Sequence, residues 1–260
     1  MNRAKQSGFT LAELMISTAL GLSVISSVLI GYLATYTSTV NTLAASRLSQ
    51  ELNTLMSVMV SDIRRSGYWG SPTAATNSAY NIFNEVDNTA LEVFDNMTDN
   101  NQVGVHGNGS CIVYAYDAVE DGMVEAEELV GFRLNGGVVQ MRTSGDVTNP
   151  DTCATTGNTW VDLTDSTLVN VTALDFDLSK STCLNTREPD SVDNDSNGTV
   201  DNAEEYDCYD APLPTAGSGD ITVETRVISI TLTGNLVNDS FVNMSLNDEV
   251  RVRNDLVRVR

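Results

Sequence analysis

The sequence predicts an α+β fold, in which one long N-terminal helix packs on a C-terminal antiparallel β-sheet domain with large loops. Three patterns along the chain support this prediction: an uncharged apolar stretch near the N-terminus, an apolar stripe of helical spacing after it, and several later segments in which apolar and polar residues alternate. Alternation with period two is typical of strands with one buried face. Because the helix precedes the strands instead of separating them, the sheet is expected to be antiparallel.

The composition favours a globular protein and argues against a nucleic-acid partner. The 260 residues include 35 Asp and Glu against 14 Lys and Arg, which gives a formal net charge of −21. A charge of this sign repels phosphate backbones, so no nucleic-acid contact is expected.

The first half of the predicted helix is long and apolar enough to cross a membrane. Between Glu13 and Arg47 the chain has no Asp, Glu, Lys or Arg, and residues 14–36 are mostly apolar. As a helix, these 23 residues would measure roughly 34 Å, which matches the hydrocarbon thickness of a bilayer. Residues 9–36 are therefore predicted to form the transmembrane half of the helix.

The charges that flank this stretch predict its orientation. Arg3 and Lys5 precede it and keep the N-terminus cytoplasmic, so the chain after Tyr36 is expected on the outer side of the membrane. A cleaved secretory signal is the first alternative, but the apolar run is longer than such signals carry. A plain membrane anchor is the second, and it explains neither the carboxylate of Glu13 nor the polar residues of the span, which are Ser17, Ser23, Ser26 and Ser27.

The second half of the helix, residues 37–66, is predicted to be amphipathic. Arg47, Glu51 and Asp62 fall off its apolar stripe, and Ser66-Gly67 is a typical end of a helix. One continuous helix is thus expected from about Phe9 to Arg65, with the stripe against a sheet. The stripe consists of Leu48, Leu52, Leu55, Met59 and Ile63.

The remaining residues, 67–260, are predicted to form a β-rich globular domain. Residues 135–137 (Asn-Gly-Gly) are expected to turn a hairpin, and residues 72–109 are expected to be irregular surface structure. The predicted strands are 111–116, 129–134, 138–142, 171–178, 221–232 and 249–259.

The N-terminal string Gly8-Phe9-Thr10-Leu11-Ala12-Glu13-Leu14 resembles the processing signature of type IV prepilins. The resemblance implies that residues 1–8 are a leader, and that a membrane-embedded prepilin peptidase cuts between Gly8 and Phe9 and methylates Phe9. It also implies that Glu13, the fifth residue of the mature chain, acts in assembly. A carboxylate in a low-dielectric assembly is costly alone, and a cationic N-terminal amine offsets much of that cost.

Motifs in the body resemble the PilW type of minor pilin. They are residues 64–70 (Arg-Arg-Ser-Gly-Tyr-Trp-Gly), 111–117 (Cys-Ile-Val-Tyr-Ala-Tyr-Asp) and 131–142, and the similarity thins out after about residue 145. The resemblance implies a type IV pilin fold, and a subunit that primes pilus assembly with other minor and major pilins and sits at or near the tip.

The same resemblance implies the partners and the location of the chain. A PilY-type adhesin is an expected tip partner, and adhesion, twitching motility and DNA uptake are the activities that such pili serve. The subunit is expected in the inner membrane before assembly and in the extracellular pilus afterwards, with its globular domain periplasmic or extracellular. A J-type pseudopilin of type II secretion and a calcium-dependent surface adhesin are the alternatives.

The four cysteines fit an oxidising compartment. Cys111, Cys153, Cys183 and Cys208 form no CxxC pair, so two disulfides are expected rather than a metal or redox site. Of the three connectivities, Cys111 with Cys153 and Cys183 with Cys208 is favoured because each closes a local loop.

Residues 193–204 match the calcium-loop pattern D-x-[DN]-x-[DN]-G-x5-E at every fixed position. Calcium takes six to eight hard oxygens, and Gly198 permits the sharp turn. An EF-hand needs a helix before its loop, and residues 188–191 (Glu-Pro-Asp-Ser) are not expected to be helical. An isolated structural calcium loop is therefore expected rather than an EF-hand. The predicted ligands are Asp193, Asp195, Asn197, Thr199, Asp201 and Glu204.

A weaker version of this pattern at 117–128 has Val119 where a carboxylate is needed, so an acidic loop without an ion is the favoured interpretation.

No enzymatic activity is predicted, because the one histidine, His106, has no nucleophile signature near it. Four C-terminal arginines are expected to face acidic groups of a neighbour or of the same chain; they are Arg251, Arg253, Arg258 and Arg260.

Overall fold

The computed structural model describes residues 8–70, 81–97, 101–104, 106–186, 188–193, 197–207 and 221–259. The helices and strands, in chain order, are α1 (Leu11–Ile63), β1 (Glu92–Phe94), β2 (Asn108–Gly109), β3 (Cys111–Ala115), a 3₁₀ turn (Ala126–Glu128), β4 (Leu129–Asn135), β5 (Val138–Ser144), β6 (Thr159–Asp162), β7 (Val169–Asp177), β8 (Thr182–Asn185), α2 (Ala203–Tyr206), β9 (Ile221–Thr225), β10 (Val227–Leu236), β11 (Asp239–Arg251) and β12 (Leu256–Val259). The α+β prediction is confirmed.

The predicted long helix is confirmed as α1, which is continuous over 53 residues. The chain divides into two compact units, Met1–Arg47 and Leu48–Arg260. Within the second unit, the five residues of the apolar stripe are all buried.

The described strands of the second unit form three antiparallel sheets. The largest has the strand order β1-β3-β4-β5-β6, the second β11-β10-β7-β2, and the third β12-β9-β8. The 48–63 segment of α1 shares one apolar core with side chains of the first two sheets, including Phe132 of β4, Phe176 of β7 and Ile230 of β10. This packing accounts for the amphipathic second half of the helix, because the buried stripe covers sheet residues that would otherwise meet water.

Asp62 departs from the prediction that it lies away from the buried side of the helix. It is 5% exposed, and its carboxylate accepts hydrogen bonds from the Tyr114 hydroxyl at 2.7 Å and the Tyr116 hydroxyl at 3.3 Å. Arg65 forms an ion pair with the same carboxylate. Burial, reinforced by the Asp62 charge, raises the pKa of Tyr114 well above its ordinary value and that of Tyr116 to about 12. Both phenols therefore remain hydrogen-bond donors at neutral pH.

The single strands predicted at 221–232 and 249–259 are wrong, because each is two strands. β9 pairs with β8 and β12, whereas β10 pairs with β7 and β11. Burial alternates without interruption from Thr222 through Arg226 to Leu232, so the period-two pattern carries no mark of the change of sheet. β11 starts at Asp239, ten residues before its predicted start, and the alternating Val242, Met244 and Leu246 of this earlier part pack against the core. Likewise, β1 and β2 lie in a segment that was expected to be irregular.

Two buried arginines hold the loop between β5 and β6. Arg142 donates to the carbonyls of Pro150 at 2.8 Å and Thr152 at 3.2 Å, and Arg133 donates to the carbonyl of Cys153 at 2.7 Å. Burial lowers the pKa of Arg142 to about 10, so its guanidinium stays charged at neutral pH. The loop thereby satisfies its inward-facing carbonyls without secondary structure of its own.

Candidate functional site

The N-terminal processing segment begins α1 through a reciprocal cap. Glu13 Oε2 accepts hydrogen bonds from the backbone N–H and the hydroxyl of Thr10, both at 2.9 Å, and the Glu13 N–H donates to the Thr10 hydroxyl at 3.3 Å. This T-x-x-E arrangement is a capping box, which satisfies backbone donors that no helical turn can reach. Gly8 and Phe9, the predicted cleavage pair, precede the cap and are exposed.

The helix that follows has the properties of a membrane span. α1 is the one helix in the described part of the chain that is long and apolar enough to cross a bilayer, and its most apolar window is entirely exposed. The four serine hydroxyls of the span donate to backbone carbonyls three or four residues earlier in the helix, at 2.7–2.8 Å. They belong to Ser17, Ser23, Ser26 and Ser27. Because the helix satisfies these hydroxyls internally, they need no partner outside it.

The predicted calcium loop is described in part. Asp193 accepts from the N–H of Asn197 at 3.1 Å and of Gly198 at 2.8 Å, and the Asn197 side chain accepts from the Thr199 N–H at 2.8 Å. Gly198 has the positive φ, 90°, that the predicted turn requires. Asp195 and the side chain of Glu204 lie outside the described residues. The described part is a turn ordered by its own side-chain oxygens.

Asp201, another predicted ligand, belongs to a cluster that the loop pattern does not contain. One carboxylate oxygen each from Glu188, Asp201 and Glu205 lie within 4.8 Å of one another. Asp201 also accepts from the Ser191 N–H at 2.9 Å, and Glu205 from the Asn202 N–H at 3.0 Å. Carboxylate oxygens are hard donors of the kind that Ca²⁺ prefers in proteins. Glu188 and Glu205 were missed because they lie outside the fixed positions of the pattern.

The second, weaker acidic loop uses its carboxylates to hold its own backbone. Glu128 accepts from the N–H groups of Ala118, Val119 and Glu125 at 2.7–3.2 Å. Asp117 accepts from Gly122 N–H at 3.1 Å, and from the N–H of Gly70 after α1 at 3.2 Å. These bonds compensate the buried Glu128 carboxylate and the Oδ2 atom of the buried Asp117, and they give the acidic residues of the loop a structural role.

A buried charge cluster was not predicted from the sequence. Arg226 pairs with Glu224 at 3.7 Å and Glu92 at 4.0 Å, and Arg258 pairs with Glu224 at 2.8 Å. The expectation that C-terminal arginines face acidic groups is thus confirmed for Arg258 within the chain. Burial raises the pKa of Glu92 to about 7, an effect that Arg226 opposes, and Glu92 borders a cavity of about 190 Å³. The members come from three separate regions of the chain, so no local pattern could have found the cluster.

The cysteines follow the prediction where they are described. Cys111 and Cys153 form a disulfide between β3 and the β5–β6 loop. Cys183 is also disulfide-bonded, and Cys208, its predicted partner, lies outside the described residues. That second pairing remains a prediction. His106 is exposed in a turn.

Two family models match the chain. The prokaryotic N-terminal methylation motif matches residues 3–29, which contain the capping box, the predicted cleavage pair and the start of the span. The model described as prepilin peptidase-dependent protein B matches residues 41–252, which contain the second half of α1 and nearly all of the sheet domain. No curated protein and no solved structure matches the chain. The second match covers more than half of the chain, and the chain belongs to the family of prepilin peptidase-dependent protein B, a type IV prepilin-like protein.

Proposed function

We propose that this protein is a minor pilin of the PilW type, which primes assembly of a type IV pilus and is incorporated at or near its tip. The observation that carries the proposal is the prepilin processing segment at the start of a helix that is both membrane anchor and scaffold of the body. In this role it contacts the prepilin peptidase, other minor and major pilins and a PilY-type adhesin. The pilus would serve adhesion, twitching motility and DNA uptake.

Glu13 is the assembly residue in this proposal. Before cleavage, Thr10 provides the donors that stabilise the Glu13 carboxylate. Cleavage after Gly8 creates a cationic amine on Phe9, and in a fibre this amine pairs with the Glu13 carboxylate of the same or a neighbouring chain. Removing one partner of such a pair in a low-dielectric environment costs about 3–5 kcal/mol, which is enough to exclude a subunit from a fibre.

The proposal for Glu13 is tested with two matched variants. Glu13→Ala removes the carboxylate and the cap, whereas Thr10→Val removes the capping hydroxyl and keeps the carboxylate. Loss of a cap costs only about 1 kcal/mol, so Thr10→Val should enter fibres nearly normally and Glu13→Ala at least tenfold less. Both should reach the inner membrane at wild-type levels. Quantitative mass spectrometry of sheared fibres and of membranes measures this, and normal incorporation of Glu13→Ala would refute the role.

A J-type pseudopilin of type II secretion is the alternative assembly role. Both roles require cleavage and methylation at Phe9, so the processing event cannot separate them. A pull-down of the full-length chain does: co-purification with minor pilins supports the pilus, and co-purification with secretion pseudopilins supports the alternative. Methylated Phe9 in sheared pili would support the pilus directly. Fibres that lack the subunit, together with capture of pseudopilins, would overturn the pilus assignment.

We further propose that the acidic region 188–205 binds a structural calcium ion. The motif match at 193–204 and the carboxylates of Glu188, Asp201 and Glu205 support this proposal. For an extracellular type of site with Kd of about 10⁻⁴ to 10⁻³ M, about 10 mM calcium would stabilise the fold by roughly 1.4–2.7 kcal/mol. A surface adhesin whose calcium loop meets its ligand directly remains the binding-class alternative, to be tested by a receptor-binding assay with and without chelator.

Two double variants determine which carboxylates hold the ion. Asp193→Ala with Glu204→Ala removes ligands of the motif, whereas Glu188→Gln with Glu205→Gln removes the cluster around Asp201. Loss of the calcium-induced increase in Tm in the first variant alone would place the ion in the motif, and loss in the second alone would place it in the cluster. An unchanged melting curve of the wild-type chain in millimolar calcium would reject the site.

A further inference from the structure

The hairpin between β10 and β11 presents an aromatic side chain to solvent. Phe241 is 94% exposed, more than any other large apolar side chain in the described part of the chain. Val237, in the turn of the same hairpin, and Leu168, in the loop before β7, are each about half exposed. The Val237 N–H donates to the Leu168 carbonyl at 3.1 Å, which holds these two residues side by side. We call residues 237–241 the hairpin tip.

The exposure of Phe241 results from an ordered bulge. Asn235 pairs with Asn243 and Leu236 with Asp239, which leaves residues 240–242 of β11 without partners in β10. The Phe241 N–H donates to the Asp239 carboxylate at 3.1 Å, and the Phe241 carbonyl accepts from Asn243 Nδ2 at 3.3 Å. Bulges of this kind redirect a side chain away from the sheet surface. The ring is therefore held outward by a specific backbone arrangement.

The hairpin tip lies at the end of the body where the chain arrives from the membrane span. The start of β10 lies near the end of α1: Val252 N–H donates to the Arg226 carbonyl at 3.0 Å, and Arg253 N–H to the Arg64 carbonyl at 3.3 Å. Farther along β10, Gly234 faces Leu52. β10 thus runs antiparallel to the 48–63 segment, and its continuation into the tip reaches the Leu48 end.

We propose that the hairpin tip inserts into the headgroup region of the bilayer while the subunit is anchored in the membrane. Only the eleven residues 37–47 separate Tyr36, the predicted end of the span, from Leu48, where the body begins, so the chain itself keeps this end of the body near the membrane. Aromatic side chains favour the membrane–water interface, where the ring leaves water while the backbone stays hydrated. The one charged side chain of the tip, Asp239, is engaged with the Phe241 N–H.

The size of the apolar tip favours lipid over a protein partner. Val237 and Phe241 of the tip, together with the neighbouring Leu168, offer far less than the roughly 800 Å² per partner of a stable protein interface, whereas a lipid surface needs no matching shape. The body carries much of a −21 net charge, so an anionic membrane opposes deeper contact and limits it to the tip. This inference goes beyond the assembly role and applies equally to a pilus and to a secretion pseudopilus.

The test places a photo-crosslinking residue at the tip of the full-length chain. p-Benzoylphenylalanine replaces Phe241, or in a second protein Val237, in nanodiscs of phosphatidylethanolamine and phosphatidylglycerol. The matched control replaces Met123, which is 61% exposed. Its loop contacts the residues after α1 through the bond from Tyr68 to Glu120, at the other end of the body. After irradiation, intact-mass spectrometry measures the fraction of chains that carry a phospholipid.

The expected result is a phospholipid adduct at position 241 at least tenfold more abundant than at position 123, with position 237 also above the control. Equal yields at 241 and 123 would overturn the proposal. Adducts at 241 to a second protein chain, without lipid adducts, would overturn it as well and would identify the tip as a subunit contact. Because both tip positions face solvent, these replacements are not expected to disturb the core, and an unchanged Tm verifies this.

Discussion

The attachment of the helix to the body depends on Tyr114, and Tyr114→Phe tests this. The substitution removes only the hydroxyl that donates to the buried carboxylate of Asp62 at 2.7 Å. A hydrogen bond to a charged acceptor contributes about 1.5–3 kcal/mol, and here the carboxylate keeps Arg65 and Tyr116 as partners. For a domain of about 200 residues, each kcal/mol lowers Tm by about 2–4 °C, so we expect Tyr114→Phe to lower Tm by roughly 3–12 °C.

Tyr116→Phe is the matched control, because its bond to the same carboxylate is longer, 3.3 Å, and its environment is less buried. We expect this variant to lose about 0.5–1.5 kcal/mol, the value of an ordinary hydrogen bond. Circular dichroism of the full-length chain in detergent at neutral pH measures both transitions. If Tyr116→Phe destabilises the protein as much as Tyr114→Phe, or if neither changes Tm, the reasoning from burial and distance is refuted.

Three further predictions concern the sheet domain. Burial raises the pKa of Glu92 from 4.5 to about 7, so the protonated Glu92 contributes to stability below pH 4.5, and this contribution is lost as pH rises through 7. Glu92→Gln should therefore remove up to about 3 kcal/mol from the change in the free energy of unfolding over this pH range, measured by denaturant titrations. An unchanged dependence of that free energy on pH would contradict the prediction. Replacing Cys111 and Cys153 by Ser, which opens a loop of 42 residues, should cost about 4 kcal/mol on the chain-entropy estimate, measured by urea unfolding. Arg142→Met should cost at least about 2 kcal/mol in the same assay, because the carbonyls of the β5–β6 loop lose their donor; a neutral effect would show that water replaces it.

The N-terminal unit was predictable because its determinants are local. A long stretch without charge predicts a span, and the T-x-x-E spacing that begins α1 lies within the processing motif itself. The stripe from Leu48 to Ile63 was equally readable, since helical periodicity reports one buried face directly. The Cys111–Cys153 pairing was favoured on loop length alone and is confirmed.

Only the tertiary structure decided where distant charges meet. Asp62 is a charged residue of α1 that is buried because the hydroxyls of Tyr114 in β3 and of Tyr116, just after β3, donate to its carboxylate. The second cluster joins three separate regions of the chain, and its members are Glu92, Glu224, Arg226 and Arg258. The change of sheet at Arg226, between β9 and β10, could not be predicted for a related reason. Buried and less buried residues keep alternating through Arg226, and this alternation does not depend on which strands form the hydrogen bonds. Sequence patterns report which side of an element is buried, whereas the partner that covers it is determined by long-range packing.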